Sequence, residues 1–138
     1  MKNVCLLALI GVVAGSLLGR VTPVLAIDPF KKAFDAKYVK KDPATDAEKS
    51  LAAAVEKSKC NVCHVGKNKK ARNDYGKALA TLLTKKDGKD MAKIDAALDT
   101  VAGMKSKADD AAAPTFGDLI KEGKLPGGEE AAGAAAAR

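Results

Sequence analysis

A chain of 138 residues with a formal charge of +7 has room for one small domain. It contains one histidine, three cysteines and no tryptophan, which excludes any constellation that needs two histidines. Its basic balance is not interleaved with aromatics, and its first segment looks exported, so nucleic acid is not the expected partner.

The first 26 residues read as a secretory leader. Lys2 gives a positive start, Val4 to Leu18 is an apolar run, and Val24-Leu25-Ala26 resembles a cleavage site. A spanning helix needs roughly 20 apolar residues, and Arg20 and Pro23 interrupt this run. Cleavage after Ala26 is therefore expected rather than a stable membrane anchor, and it removes Cys5. The remaining 112 residues keep 22 of the 24 basic and all 17 acidic residues, a formal charge of +5. Leu, Ile, Val and Phe make up only 18 of those 112, about 16%. That lies below the roughly 20% under which a chain struggles to fold on its own side chains. A buried macrocycle would supply the missing apolar surface.

Asp28-Pro29 opens a first helix, with Asp as N-cap and Pro at the first helical position. Phe30, Phe34 and Tyr38 form its aromatic stripe, and Pro43 ends the unit. Thr45-Asp46-Ala47-Glu48 is a capping box. It starts a second helix through about Lys59, with Leu51 and Val55 on one face, leading straight into Cys60. Gly66 to Lys70 reads as a basic loop. Asn73-Asp74 caps a third helix bearing Leu79, Leu82 and Leu83, and Asp87-Gly88 signals a turn. A fourth helix is expected from about Lys89 to Ala102, with Met91, Ile94, Leu98 and Val101 as its apolar stripe. Gly103 stands where a left-handed C′ residue would stop it, leaving Met104 in a loop. Pro114-Thr115 begins a short fifth helix with Phe116, Leu119 and Ile120 inward and Gly123 as its stop. No segment alternates in the manner of a strand, so the expectation is an all-α bundle of four to five short helices over residues 27–126, followed by a low-complexity tail at 127–138.

The chemistry concentrates in Cys60-Asn61-Val62-Cys63-His64. This C-x-x-C-H order is the attachment signature of c-type haem. Two thiols one turn apart reach two vinyl groups on one porphyrin edge, and the next residue brings an imidazole to the iron. A dithiol redox pair does not require the histidine, and no βαβ pattern surrounds it. A structural zinc site wants four ligands, and only three Cys or His residues remain after cleavage. A disulfide across so small a loop would stabilise little. One covalent haem c on Cys60 and Cys63, with His64 on the iron, is the best reading of these residues.

The stretch from about Thr45 to Leu125 resembles the class I monohaem c-type cytochromes: a helix into Cys60-Asn61-Val62-Cys63-His64, a loop, a helix with Asn73 and Gly76-Lys77-Ala78-Leu79, another helix, then a methionine in a loop. The run Cys60 to Lys70, Asn73 to Leu79 and Pro114 to Ile120 resembles, more narrowly, short planctomycete-type cytochrome c domain proteins. The resemblance implies a cytochrome c-like fold and periplasmic electron transfer, a carrier rather than an enzyme. It also implies a methionine as sixth ligand. Met104, 40 residues after His64 and past a helix end, is favoured over Met91, which shares a helical stripe and reads as core. An open sixth site, giving a five-coordinate sensor or a peroxide-reactive protein, is the alternative. Such cytochromes commonly orient the proximal imidazole through a proline carbonyl in the following loop. This chain has no proline there, so the partner of His64 is unassigned. Tyr75 could meet a propionate, line the pocket or simply pack at a helix start. Lys67, Lys69, Lys70 and Arg72 lie within nine residues of His64. They would steer a redox partner with an acidic docking surface or neutralise propionates, or simply form a solvated loop.

Overall fold

The computed structural model describes residues 28–128, so the leader with its cleavage site at Ala26, and the tail from 129 onward, lie outside the described residues. The described chain is predominantly helical: α1 (Pro29–Tyr38), α2 (Asp46–Ser58), α3 (Asp74–Leu82), α4 (Met91–Ala102) and α5 (Phe116–Lys121). No helix among the described residues is long and apolar enough to cross a membrane.

Each helix starts where a side chain satisfies its free N–H groups. Asp28 accepts from the Phe30 amide at 3.0 Å, with Pro29 in the first turn of α1. Thr45 and Glu48 close a reciprocal box on α2. Asn73 caps α3, Asp90 caps α4 through the Lys93 amide, and Thr115 with Asp118 closes a box on α5. The Asp87-Gly88 turn proves to be a 3₁₀ segment, Lys85–Lys89, itself boxed by Thr84 and Asp87.

The apolar faces meet in one core. Phe34, Leu51, Val55, Leu79, Ile94, Leu98, Val101 and Phe116 are buried around Tyr75. The Tyr75 ring lies edge-on to Phe34 at 5.8 Å and to Phe116 at 5.2 Å, and Phe34 also meets Tyr38 at 5.1 Å. Helix α1 is fastened to α4 by the Tyr38 hydroxyl, which donates to the Leu98 carbonyl, and by Lys37, which pairs with Asp95 and Asp99.

Three expectations are corrected. The segment read as a basic loop is a small antiparallel hairpin, β1 (His64–Val65) with β2 (Asn68–Arg72), so the fold is not strictly all-α. Gly66, at φ +63°, makes its turn. Met91 is not core: it is 55% exposed, because it sits in the first turn of α4, and the buried stripe there is Ile94, Ala97, Leu98 and Val101. Gly103 caps α4 with φ −79° rather than in the left-handed region; the helix tightens as the Met104 amide bonds the Val101 carbonyl. Gly123 does stop α5 with φ +77°, and a Cβ there would lie 2.4 Å from the Ala47 carbonyl oxygen, which seats the end of α5 on the start of α2.

Candidate functional site

Helix α2 ends on Lys59, whose φ of +50° turns the chain sharply out of the helix. The attachment motif follows as a 3₁₀ turn, Lys59–Val62, closed by the Cys63 amide on the Cys60 carbonyl at 3.3 Å. This puts Cys60 in solvent and Cys63 partly buried against the core, both as free thiols. Burial pushes the Cys63 thiol up to about 12, with the Asp28 carboxylate adding to the effect and Lys31 opposing it.

His64 opens β1, and the hairpin supplies the partner that no proline could. The His64 Nδ1 lies 3.3 Å from the Ala71 carbonyl oxygen. Strand pairing runs Val65 to Asn68 and then jumps to His64 with Arg72, so β2 bulges between those pairs, where Ala71 lies. A carbonyl can only accept, which places the proton on Nδ1 and leaves the Nε2 lone pair for a metal.

Helix α3 is built onto the back of the motif. The Asn73 side chain donates to the carbonyls of Asn61 and Val62, both at 3.1 Å, and accepts from the Gly76 amide at 2.9 Å. The Asn73 backbone amide donates to the Cys63 carbonyl at 3.2 Å. Gly76 is needed for this approach, since a Cβ there would lie 2.0 Å from the Cys63 carbonyl oxygen. In the sequence Asn73 has a capping role and Gly76 stands in a family-like pattern, but neither of them, nor Ala71 or Asn61, is assigned a contact with the motif. Ala71 acts through its carbonyl, which carries no residue-type signal.

Several buried polar atoms beside the motif lack partners. They are both side-chain atoms of Asn61 and the hydroxyl of Tyr75. The Tyr75 hydroxyl is raised well above the usual phenol range, first by burial and then by the nearby Cys63 thiol. Such groups are rare in native proteins and call for an explanation such as a missing ion, water or ligand. Two free thiols, an imidazole with an available Nε2 and unsatisfied buried polar atoms form a set that suits a covalently held porphyrin.

Met104 is partly buried against the same core. Its carbonyl accepts from the Phe116 amide at 3.0 Å, and Lys105 bridges to Thr115, so its loop is tied to the start of α5. Phe116 in turn lies edge-on to Tyr75, whose hydroxyl is influenced by the Cys63 thiol. A cleft of about 400 Å³ runs between α1 and α4, and one of about 460 Å³ lies beside Tyr38 and Gly103; neither is lined by Cys60, Cys63, His64 or Met104. Among the described residues, no three Cys, His, Asp or Glu side chains converge as a metal-ion cluster. Lys67, Lys69 and Arg72 are exposed on the hairpin that carries His64. Comparison with family models, with curated proteins and with solved structures finds no match to this chain.

Proposed function

We propose that the chain is an exported monohaem c-type electron carrier. Cys60 and Cys63 hold haem c through thioether bonds, and His64 ligates the iron through Nε2. The observation that carries this reading is the Ala71 carbonyl on His64 Nδ1, which readies an imidazole for iron immediately after two free thiols. Bound there, the haem iron supplies a one-electron couple. The chain's own part is to hold His64 in one tautomer, to exclude water with the core around Tyr75, and to present Lys67, Lys69 and Arg72 to an acidic redox partner. Met104 is the proposed sixth ligand, and a thioether there raises the potential relative to a second nitrogen ligand. Met91, at the exposed start of α4, has no such role.

A second reading, a five-coordinate haem protein, is favoured by the Tyr75 hydroxyl, a buried donor with no partner that could bond a small ligand. One preparation separates the two. The chain is expressed with c-type maturation machinery, and its intact mass and visible spectrum are recorded. Electron transfer predicts one covalent haem per chain and a low-spin reduced spectrum that Met104→Ala abolishes and Met91→Ala leaves unchanged. Rapid carbon monoxide binding by the unaltered protein supports the five-coordinate reading. A colourless mature protein sinks both.

A further inference from the structure

We infer that Asn73 is a positioning residue that sets the attachment turn before any haem arrives. The purpose of the inference rests on the reading above, although its geometry does not. A 3₁₀ turn of four residues is a weak structure by itself, with poor hydrogen-bond geometry and little length. Here it begins on Lys59, whose φ is +50°, and carries Asn61 and Val62 in the buried interior. The carbonyls of those two residues would be orphaned there without partners.

Asn73 meets both carbonyls. It is fully buried, and one side chain performs three tasks: its amide NH₂ holds the Asn61 and Val62 carbonyls, and its Oδ1 caps α3 through Gly76. Its main chain adds a fourth tie, to the Cys63 carbonyl. Three consecutive carbonyls of the motif are thereby fixed to the first turn of α3. Only a primary amide both donates twice and accepts within this reach. Serine or aspartate would cap the helix as well but could not hold both carbonyls. The residue type is therefore set by the turn rather than by the helix. The consequence is that the spacing of Cys60, Cys63 and His64 is built into the haem-free chain, which lowers the ordering cost of attachment.

The test uses the full chain after removal of the leader. Asn73→Ser keeps the helix cap and loses the two amide donations. Thr45→Ala, which removes the α2 cap far from the turn, serves as a control for general loss of stability. In the haem-free protein, alkylation by a maleimide is followed by mass for each cysteine. The inference expects Cys60 to react quickly and Cys63 slowly in the unaltered chain, a rise of tenfold or more at Cys63 in Asn73→Ser, and no such rise in Thr45→Ala. In chains matured with haem, Asn73→Ser is expected to at least halve the fraction bearing both thioether bonds, with single-bond adducts appearing, while Thr45→Ala stays fully loaded. Equal behaviour of the two variants in the alkylation arm overturns the inference. If the unaltered chain takes up no haem, the function reading fails while the alkylation arm still judges the turn. Should Asn73→Ser not fold, the side-chain amide protons of Asn73 in the unaltered chain decide: slow exchange with water supports the inference and fast exchange overturns it.

Discussion

Tyr75 sits at the centre of the core with a hydroxyl that nothing around it satisfies. Leaving such a group buried and unpaired costs about 1–3 kcal/mol. Tyr75→Phe keeps both edge-on ring contacts and removes the cost, so the haem-free chain should gain about 1 kcal/mol, read as a higher urea midpoint at unchanged slope. A loss of that size would mean the hydroxyl does have a partner. Two glycines separate crowding from backbone strain. Gly76→Ala drives a Cβ to 2.0 Å from the Cys63 carbonyl oxygen and should cost about 3 kcal/mol or more. Gly66→Ala meets open space, and only its φ of +63° resists, at about 1–2 kcal/mol. Comparable losses in urea for the two variants would contradict the close packing of α3 on the motif. Cys60, Cys63 and His64 stand out in the sequence because the proposed haem attachment asks for those residue types in that order. Asn61 and Ala71 do not, because the one contributes two unpaired atoms and the other a carbonyl. Met91 misled because periodicity gives a helix face but not whether the first turn is covered.

Capping chemistry controls the helix starts, and it titrates. Glu48, Asp87 and Asp118 each stand third in a capping box, and their carboxyls are held below the ordinary range, Glu48 first by the backbone amides of Thr45 and Ala44 and Asp118 first by the Thr115 hydroxyl and then its amide. Asp87, hydrogen-bonded by Lys93 and then by Thr84, is held lowest, at about 2 against an ordinary 3.8. A depressed folded-state value means the stabilisation is complete above the unfolded value and is lost as pH falls through the folded one. Stability should therefore fall between about pH 4.5 and 2, and Asp87→Asn should flatten the lower part of that decline in urea titrations at stepped pH. An unchanged slope in Asp87→Asn would show that the box does not form. Of the three boxes only Thr45 to Glu48 was readable beforehand, since the others carry Asp where the pattern asks for Glu or Gln. The hairpin escaped for a related reason. Its strands are two and five residues long, and β2, Asn68–Arg72, is mostly polar, so it offers no alternation to detect. What makes it a hairpin is the turn at Gly66 and a bulge that aims one carbonyl at His64.

At the scale of the whole chain, large aliphatic residues are scarce in residues 27–138, yet most of them are gathered into the core. The buried side chains gather into one cluster led by Tyr75, Phe34 and Phe116, filled by leucine, valine and isoleucine and with only Ala33 and Ala97 as alanines. Native domains hold only about 5–15 kcal/mol in total, so any further buried apolar group is a sizeable addition. A proposed haem that buried apolar area comparable to one large aromatic side chain, about 150–250 Å², would contribute about 4–6 kcal/mol at about 25 cal/mol per Å². A proposed iron bond to His64 would add to this, because it would form only in the folded state and act by linkage on the folding equilibrium. The matured protein should thus melt well above the haem-free chain, by roughly 15 °C or more for a domain of this size. Calorimetry of Cys60→Ala/Cys63→Ala chains beside matured protein measures the difference. Equal melting temperatures would mean that the haem rests on the surface, and the unsatisfied atoms of Tyr75 and Asn61 would then need another ligand.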